Sequence, residues 1–240
     1  MARLEFDTTG ERYFETGVRN CVFYKFNATA ATTGYGEGVT TNYGPGVAWN
    51  GVSSISESAD GGDSNPIYAD DIKYLDLRSL EDTSLSLEAY TYPEAFADCD
   101  GTKELVTGVR VGQQRRKPFG LSYVTRVGND VDFEEYGDKY HLVYGCMAAP
   151  AERSYETIND SPEAITFSWD ISTTPIPLGD NIDGKPTAIL TVDTSKGKDL
   201  QDAAKTAFDS GITKLQDALY GTANTSAYLP TPEQVAGFFS

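Results

Sequence analysis

Thr83 to Tyr92 reads TSLSLEAYTY. Leu85, Leu87 and Ala89 fall on one side of an extended chain, and Ser84, Ser86 and Glu88 fall on the other. Ala164 to Ser172 (AITFSWDIS) repeats the pattern. There Ile165, Phe167, Trp169 and Ile171 share one face, with Ala164, Thr166, Ser168 and Asp170 opposite. One apolar face and one polar face is the signature of antiparallel sheets wet on one side.

Working outward, further segments read as strands by their apolar, β-branched and aromatic content. They are Arg19 to Phe26 (RNCVFYKF), Val47 to Ser56 (VAWNGVSSIS), Ile72 to Ser79, Phe119 to Val127, Tyr140 to Cys146 and Thr187 to Asp193. Helix signals are few. Pro93 to Asp98 (PEAFAD) opens on Pro and stops before Asp100-Gly101. Leu200 to Leu219 places Ala203, Ala207, Leu215 and Leu219 at near-helical spacing. Gly211 is its expected weak point and Gly221 its expected stop. Tyr228 to Phe239, carrying Pro230 and Pro232, reads as an extended tail. The fold class these patterns give is mainly β (α+β), with antiparallel sheets wet on one side, few helices, and a C-terminal helix and tail. Residues 1–195 form the β domain. Residues 196–240 form an appendage packed on that domain or on a neighbour.

Two stretches read as long loops, 27–46 and 57–71. The first, NATAATTGYGEGVTTNYGPG, is rich in Gly and Thr, and the second, ESADGGDSNPIYADD, is acidic and rich in turn residues. Loops of that length without structure of their own are usually functional or mobile.

The 240 residues carry a formal charge of −17. That argues against nonspecific nucleic-acid binding, which needs clustered cations to displace phosphate counterions. It argues equally against polybasic attachment to anionic lipid. Aromatic residues make up 12%, too many for a disordered acidic tail. No segment approaches the roughly 18 uncharged apolar residues of a membrane span. The opening residues hold no apolar stretch of the secretory kind. Cys21, Cys99 and Cys146 show no metal-binding spacing, and reduced thiols in a cytosolic product are expected. Charge is blocky: Glu57 to Glu104 holds thirteen acids and three bases, while Leu105 to Val127 holds five bases and no acid. Blocks of opposite sign suggest self-association, with the basic block meeting its complement on a neighbouring copy.

The inventory for catalysis is thin. His141 is the only histidine, and its strand-like setting, KYHLVYGC, suits a structural role better than a base. Asn129 to Asp138 (NDVDFEEYGD) imitates a calcium loop. It has Glu135 where that loop needs Gly and His141 where it needs Glu, so an acidic hairpin tip is expected instead. Gly34 to Gly38 lacks the Lys-Ser/Thr ending and following helix of a phosphate loop. No enzyme activity, cofactor or metal is expected.

Three blocks taken together, Tyr68 to Gly101, Gly112 to Asp130 and Lys139 to Pro175, resemble the major tail protein, or tail tube protein, of long-tailed bacteriophages with noncontractile tails. GVAWNG (Gly46 to Gly51) and LPTPEQV (Leu229 to Val235) agree with that, and the Gly/Thr-rich insertion before Gly46 departs from it. The resemblance implies that the sheets form an antiparallel β-sandwich or barrel-like tail-tube fold with a flanking helix. It implies that such protomers form hexameric rings, stacked into a tube that conducts the genome from capsid to host. It implies a virion protein assembled in the bacterial cytoplasm. Its partners would be copies of itself, the tape measure protein, the tail terminator, distal tail proteins and double-stranded DNA that passes without specific binding. No membrane is involved. Asp76, Ser84, Ser86, Glu88, Thr166, Ser168 and Asp170 are the expected lumen-facing residues. Tyr35, Glu37, Tyr43, Asp60, Asp63, Tyr68, Arg110, Arg115, Arg116 and Lys117 are the expected contacts between subunits or rings. The competing class is a carbohydrate-binding surface β-sandwich, to which aromatic strands and polar loops are also suited. A calcium-dependent all-β enzyme is a third and weaker fit.

Overall fold

The computed structural model describes residues 6–27, 41–79, 81–151, 153–155, 157, 164–179 and 182–240. Tyr35 and Glu37 lie outside them, as does most of the Gly/Thr-rich stretch. Twelve strands are present among the described residues, and every pairing is antiparallel. They are β1 (Phe14–Phe26), β2 (Tyr43–Ala48), β3 (Val52–Gly61), β4 (Ser64–Ala69), β5 (Ile72–Arg78), β6 (Glu81–Ala89), β7 (Lys103–Val106), β8 (Val109–Val111), β9 (Phe119–Asn129), β10 (Phe133–Ala148), β11 (Phe167–Ser172) and β12 (Ile189–Asp193). Helices α1 (Asp202–Tyr220) and α2 (Pro232–Phe238) follow.

A first sheet runs β2-β1-β9-β10-β12, and a second runs β11-β6-β3. Strand β10 joins them. It pairs with β12 from Lys139 to Val143, then with β11 at Met147 and Ala148. Between those stretches Gly145 takes φ +60°, and a Cβ there would sit 2.1 Å from the Thr174 carbonyl oxygen. Only glycine allows this turn of one strand from sheet to sheet.

The first sheet is covered on both faces. One face meets the second sheet across a core built on Phe96, which lies in a 3₁₀ turn at Glu94–Phe96. The Phe96 ring stands edge-on to Phe23, Phe119 and Trp169 at centroid distances of 5.5, 5.3 and 5.4 Å, and lies 4.6 Å from Trp49. The other face carries Tyr24, Leu142 and Tyr144 against Leu215 and Leu219 of α1, Leu229 of the segment between the helices, and Val235 of α2. Hence Cys21 to Tyr24 are all buried, and β9 is buried along most of its length. A strand dry on both sides reads as a continuous apolar run without alternation.

Three expectations change. Val47 to Ser56 is two strands, split by a turn at Trp49-Asn50-Gly51 that carries the chain from the first sheet to the second. The tail is not extended throughout: α2 forms there, closed by a capping box in which the Thr231 hydroxyl and the Gln234 side chain satisfy each other's backbone N–H. Gly211 does not break α1, because Phe239 fills the space beside it, and a Cβ would lie 2.5 Å from that ring.

Phe96 fills the middle of the core, so Phe96→Ala is expected to cost about 3–5 kcal/mol of unfolding free energy. Urea denaturation of the purified chain measures this, and a loss below about 1 kcal/mol would show that the core does not depend on that ring.

Candidate functional site

The two alternating stretches lie side by side. In the second sheet Ser168 pairs with Glu88, Asp170 with Ser86 and Ser172 with Ser84. On the far side of β6, Glu88 pairs with Ser54, Ser86 with Ser56 and Ser84 with Ser58. Directly paired residues share a face. The outward face of β11-β6-β3 is therefore seven serines with Glu88 and Asp170 among them. Its inward face carries Leu85, Leu87, Trp169 and Ile171, all within 2% of full burial. The Ser54 hydroxyl donates to Glu88 at 3.1 Å.

No lysine or arginine stands anywhere on these three strands. Short hydroxyls and carboxylates without a cation cannot displace counterions from a polyanion. Ser54, Ser56 and Ser58 were legible as members of this face, since VSSISESA alternates, but the turn at Gly51 obscured where the alternation starts. Two expected members are elsewhere. Asp76 sits on β5, where it accepts from Lys73 at 2.8 Å and Ser64 at 2.5 Å. The Lys73 ammonium, then the Ser64 hydroxyl, hold its carboxyl below the usual range. Thr166 precedes β11 and is exposed outside the ladder.

Both outer edges of this sheet lack a full partner. Strand β3 pairs only with β6, and β11 meets β10 only at its last two residues. Exposed edges of this kind invite another strand.

The acidic stretch 57–71 is not a loop. Strand β3 continues to Gly61 opposite Glu81, and β4 with β5 prolongs the same hairpin as a separate two-stranded ladder. Asp70 and Asp71 close it with φ of 51° and 62°. This arm exposes Ile67, Tyr68, Ile72, Tyr74, Leu75 and Leu77. A two-stranded hairpin alone is marginal in water. Asp60, Asp63 and Tyr68 are all exposed on it, whereas Tyr43 is buried at 5% and packs on Phe26 and Tyr144. Tyr43 is thus a core residue and is corrected as a contact candidate.

The basic block is also reassigned in part. Arg110 pairs with Glu94 at 2.6 Å, Arg116 with Asp100 at 3.5 Å and Lys117 with Asp98 at 2.7 Å. Each of these cations has a carboxylate partner within the chain. Asp98 is accordingly held low, first by the Lys117 ammonium, with burial opposing and Lys25 assisting. Arg115 makes no ion pair among the described residues.

At the arm's base, Glu57 points inward from β3. Its carboxylate accepts from the Tyr123 hydroxyl and lies 3.3 Å from His141 Nδ1. The His141 ring stacks on Tyr123 at 4.6 Å with a 6° tilt, and its Nε2 is 3.0 Å from the Thr125 hydroxyl. Glu15 lies 3.5 Å away on the other side and pairs with Lys139. The histidine ties the arm to the first sheet. The acidic tip between β9 and β10 is likewise occupied: Asp130 accepts from the Gly10 N–H at 2.8 Å, Glu134 pairs with Arg126, and Asp132 lies 3.6 Å from Lys198. The thiols of Cys21 and Cys99 are buried and pushed up to about 12 by desolvation.

Comparison with known proteins gives one family. The model of a family described as phage tail tube protein matches residues 18–209. No curated protein matches. Among solved structures, one chain of the cryo-EM structure of the anti-feeding prophage baseplate is similar, at 10% identity and a TM-score of 0.34. The match covers 79% of this chain and 97% of that one.

Glu57 is held below its ordinary value of 4.5, first by the His141 imidazole beside it, with burial opposing and Tyr123 assisting. A depressed carboxyl stabilises the fold above its unfolded value, and that contribution fades as pH falls through the folded value. Glu57→Gln should therefore flatten the loss of stability between pH 5 and pH 3, read as Tm against pH. An unchanged slope would show that Glu57 titrates as if free.

Proposed function

The chain belongs to the phage tail tube protein family, a structural component of the virion, and from that membership we propose that it is the repeating subunit of a hollow tail tube. Copies form rings, the resemblance implying six, and the rings stack. The observation that carries this reading is the cation-free serine face between two strand edges that lack a full partner. Joining β3 of one copy to β11 of the next would continue the sheet around a closed wall and remove both edges. The core faces stay inside each protomer, so Ser84, Ser86, Glu88, Ser168 and Asp170 would line the channel, with Ser54, Ser56, Ser58 and Ser172 beside them. Asp76 and Thr166 are not part of that wall.

The mechanism is non-adhesion. DNA carries about one charge per 1.7 Å of axis. Lysines on the wall would hold it through cumulative counterion release. Glu88 and Asp170 repel it instead, and screening confines that repulsion to about 8 Å at physiological salt. The field keeps DNA off the wall without closing the channel. Serines contribute hydroxyls that stay solvated by water. The arm, Glu57 to Asp82, extends the β3-β6 hairpin by on the order of 35 Å beyond the sandwich at about 3.3 Å per residue. It reaches the neighbouring copy or ring, where its apolar side chains are covered. Tape measure, terminator and distal tail proteins would meet the tube inside and at its ends. Residues 1–195 make the wall, and 196–240 back its outer sheet.

Glu88→Lys with Asp170→Lys should leave tails intact but slow genome ejection, measured by DNA release from purified particles. Native ejection rates would remove these side chains from the channel, and failure to form tubes would place them at a subunit contact.

A further inference from the structure

Among the described residues two hairpins stand apart from both sheets, each a ladder of two strands paired only with each other: β4-β5 and β7-β8. Both expose apolar side chains. On the second, Leu105, Val106 and Val109 are 60%, 63% and 51% accessible. Among the described residues neither hairpin has a third strand or a covering helix, so each is expected to gain its stability from something laid against it.

Their charges are opposite. The arm from Asp60 to Asp82 holds seven acids and two bases. Lys73 and Arg78 are its only bases, and Lys73 is engaged with Asp76 on the same hairpin. At the arm's root Asp60 stands directly across from Asp82, with Glu81 opposite Gly61 next to them. Like charges facing across a ladder repel, and no cation of the same chain pairs with Asp60, Glu81 or Asp82 among the described residues. The second hairpin carries Lys103, Glu104 and Arg110, and the segment after it adds Arg115, Arg116 and Lys117, five bases against one acid from Lys103 to Lys117. Lys103 and Arg115 are exposed and without an ion pair among the described residues. The neighbouring Arg110, Arg116 and Lys117 are already matched within the chain.

We propose that the acidic β4-β5 arm of one copy docks on the β7-β8 hairpin and the basic segment after it on the next, apolar face to apolar face, with Lys103 and Arg115 answering the carboxylates at the arm's root. The proposal rests on the tail-tube reading and names the contact that builds it. The contact is heterologous: each copy offers an arm and receives one. Such a contact propagates until it closes or stacks. Its charges set register and partner choice more than affinity.

Two charge-reversed proteins test it. One carries Asp60→Lys and Asp82→Lys, and the other carries Lys103→Glu and Arg115→Glu. All four side chains are exposed, and circular dichroism with Tm checks that each variant folds. Each variant alone brings like charges together at every contact. Tube recovered by ultracentrifugation should fall by more than about tenfold relative to the native chain. Mixing the two variants puts a basic arm on an acidic hairpin and an acidic arm on a basic one, so the mixture should form tubes of alternating copies. If either variant forms tubes alone at the native level, the pairing is wrong. If both fail and the mixture also fails, the pairing is wrong while the tube reading stands on the native control. A native chain that forms neither rings nor tubes would overturn the tube reading and the pairing together.

Discussion

The structure depends on one dry face. Leu85, Leu87, Trp169 and Ile171 lie in one core with Phe96 and its ring of aromatic neighbours, between the two sheets. Strand side chains alternate with period two, so this fixes what lies opposite. Ser84, Ser86, Glu88, Ser168 and Asp170 have no choice but to face outward. A slip of one residue would bury two carboxylates and expose a tryptophan, which makes the register strongly specified. The polar wall is thus the reverse side of a packing requirement.

That logic also explains what could be read from the residues and what could not. The alternation in TSLSLEAYTY and AITFSWDIS survives because the second sheet is covered on one side only. RNCVFYKF shows no alternation, since Phe23 packs toward Phe96 while Tyr24 packs toward α1, and both positions are apolar. Its strand was legible from composition and its two-sided burial was not. Of the arm's two strands Ile72 to Ser79 was legible, while its partner β4 was missed because it has no core face. Ser64 to Ala69 is polar and turn-rich, and only the ladder to β5 makes it a strand. The second helix had a readable signal in Thr231-Pro232-Glu233-Gln234, a cap followed by proline at the first helical position. Two prolines in three residues masked it. Tyr43 looked like a loop tyrosine for want of a pattern around it, yet it completes the outer core.

The excess of acid divides into three parts. Some carboxylates are matched within the protomer, as Asp98 is by Lys117 and Lys25. Some stand on the arm, where like charges face each other and a cation from elsewhere would relieve them. Two stand alone among serines on a face without cations. A net charge of −17 says only that the chain avoids polyanions. In the proposed tube, where each carboxylate sits would assign it to holding the fold, holding a neighbour or repelling what passes.

The most direct test of the central claim is a three-dimensional electron-microscopy reconstruction of tubes formed by the native chain. The account predicts that β3, β6 and β11 line the channel, with Glu88 and Asp170 projecting into it. A reconstruction that put the serine face on the outside of the tube, or buried it between subunits, would contradict it.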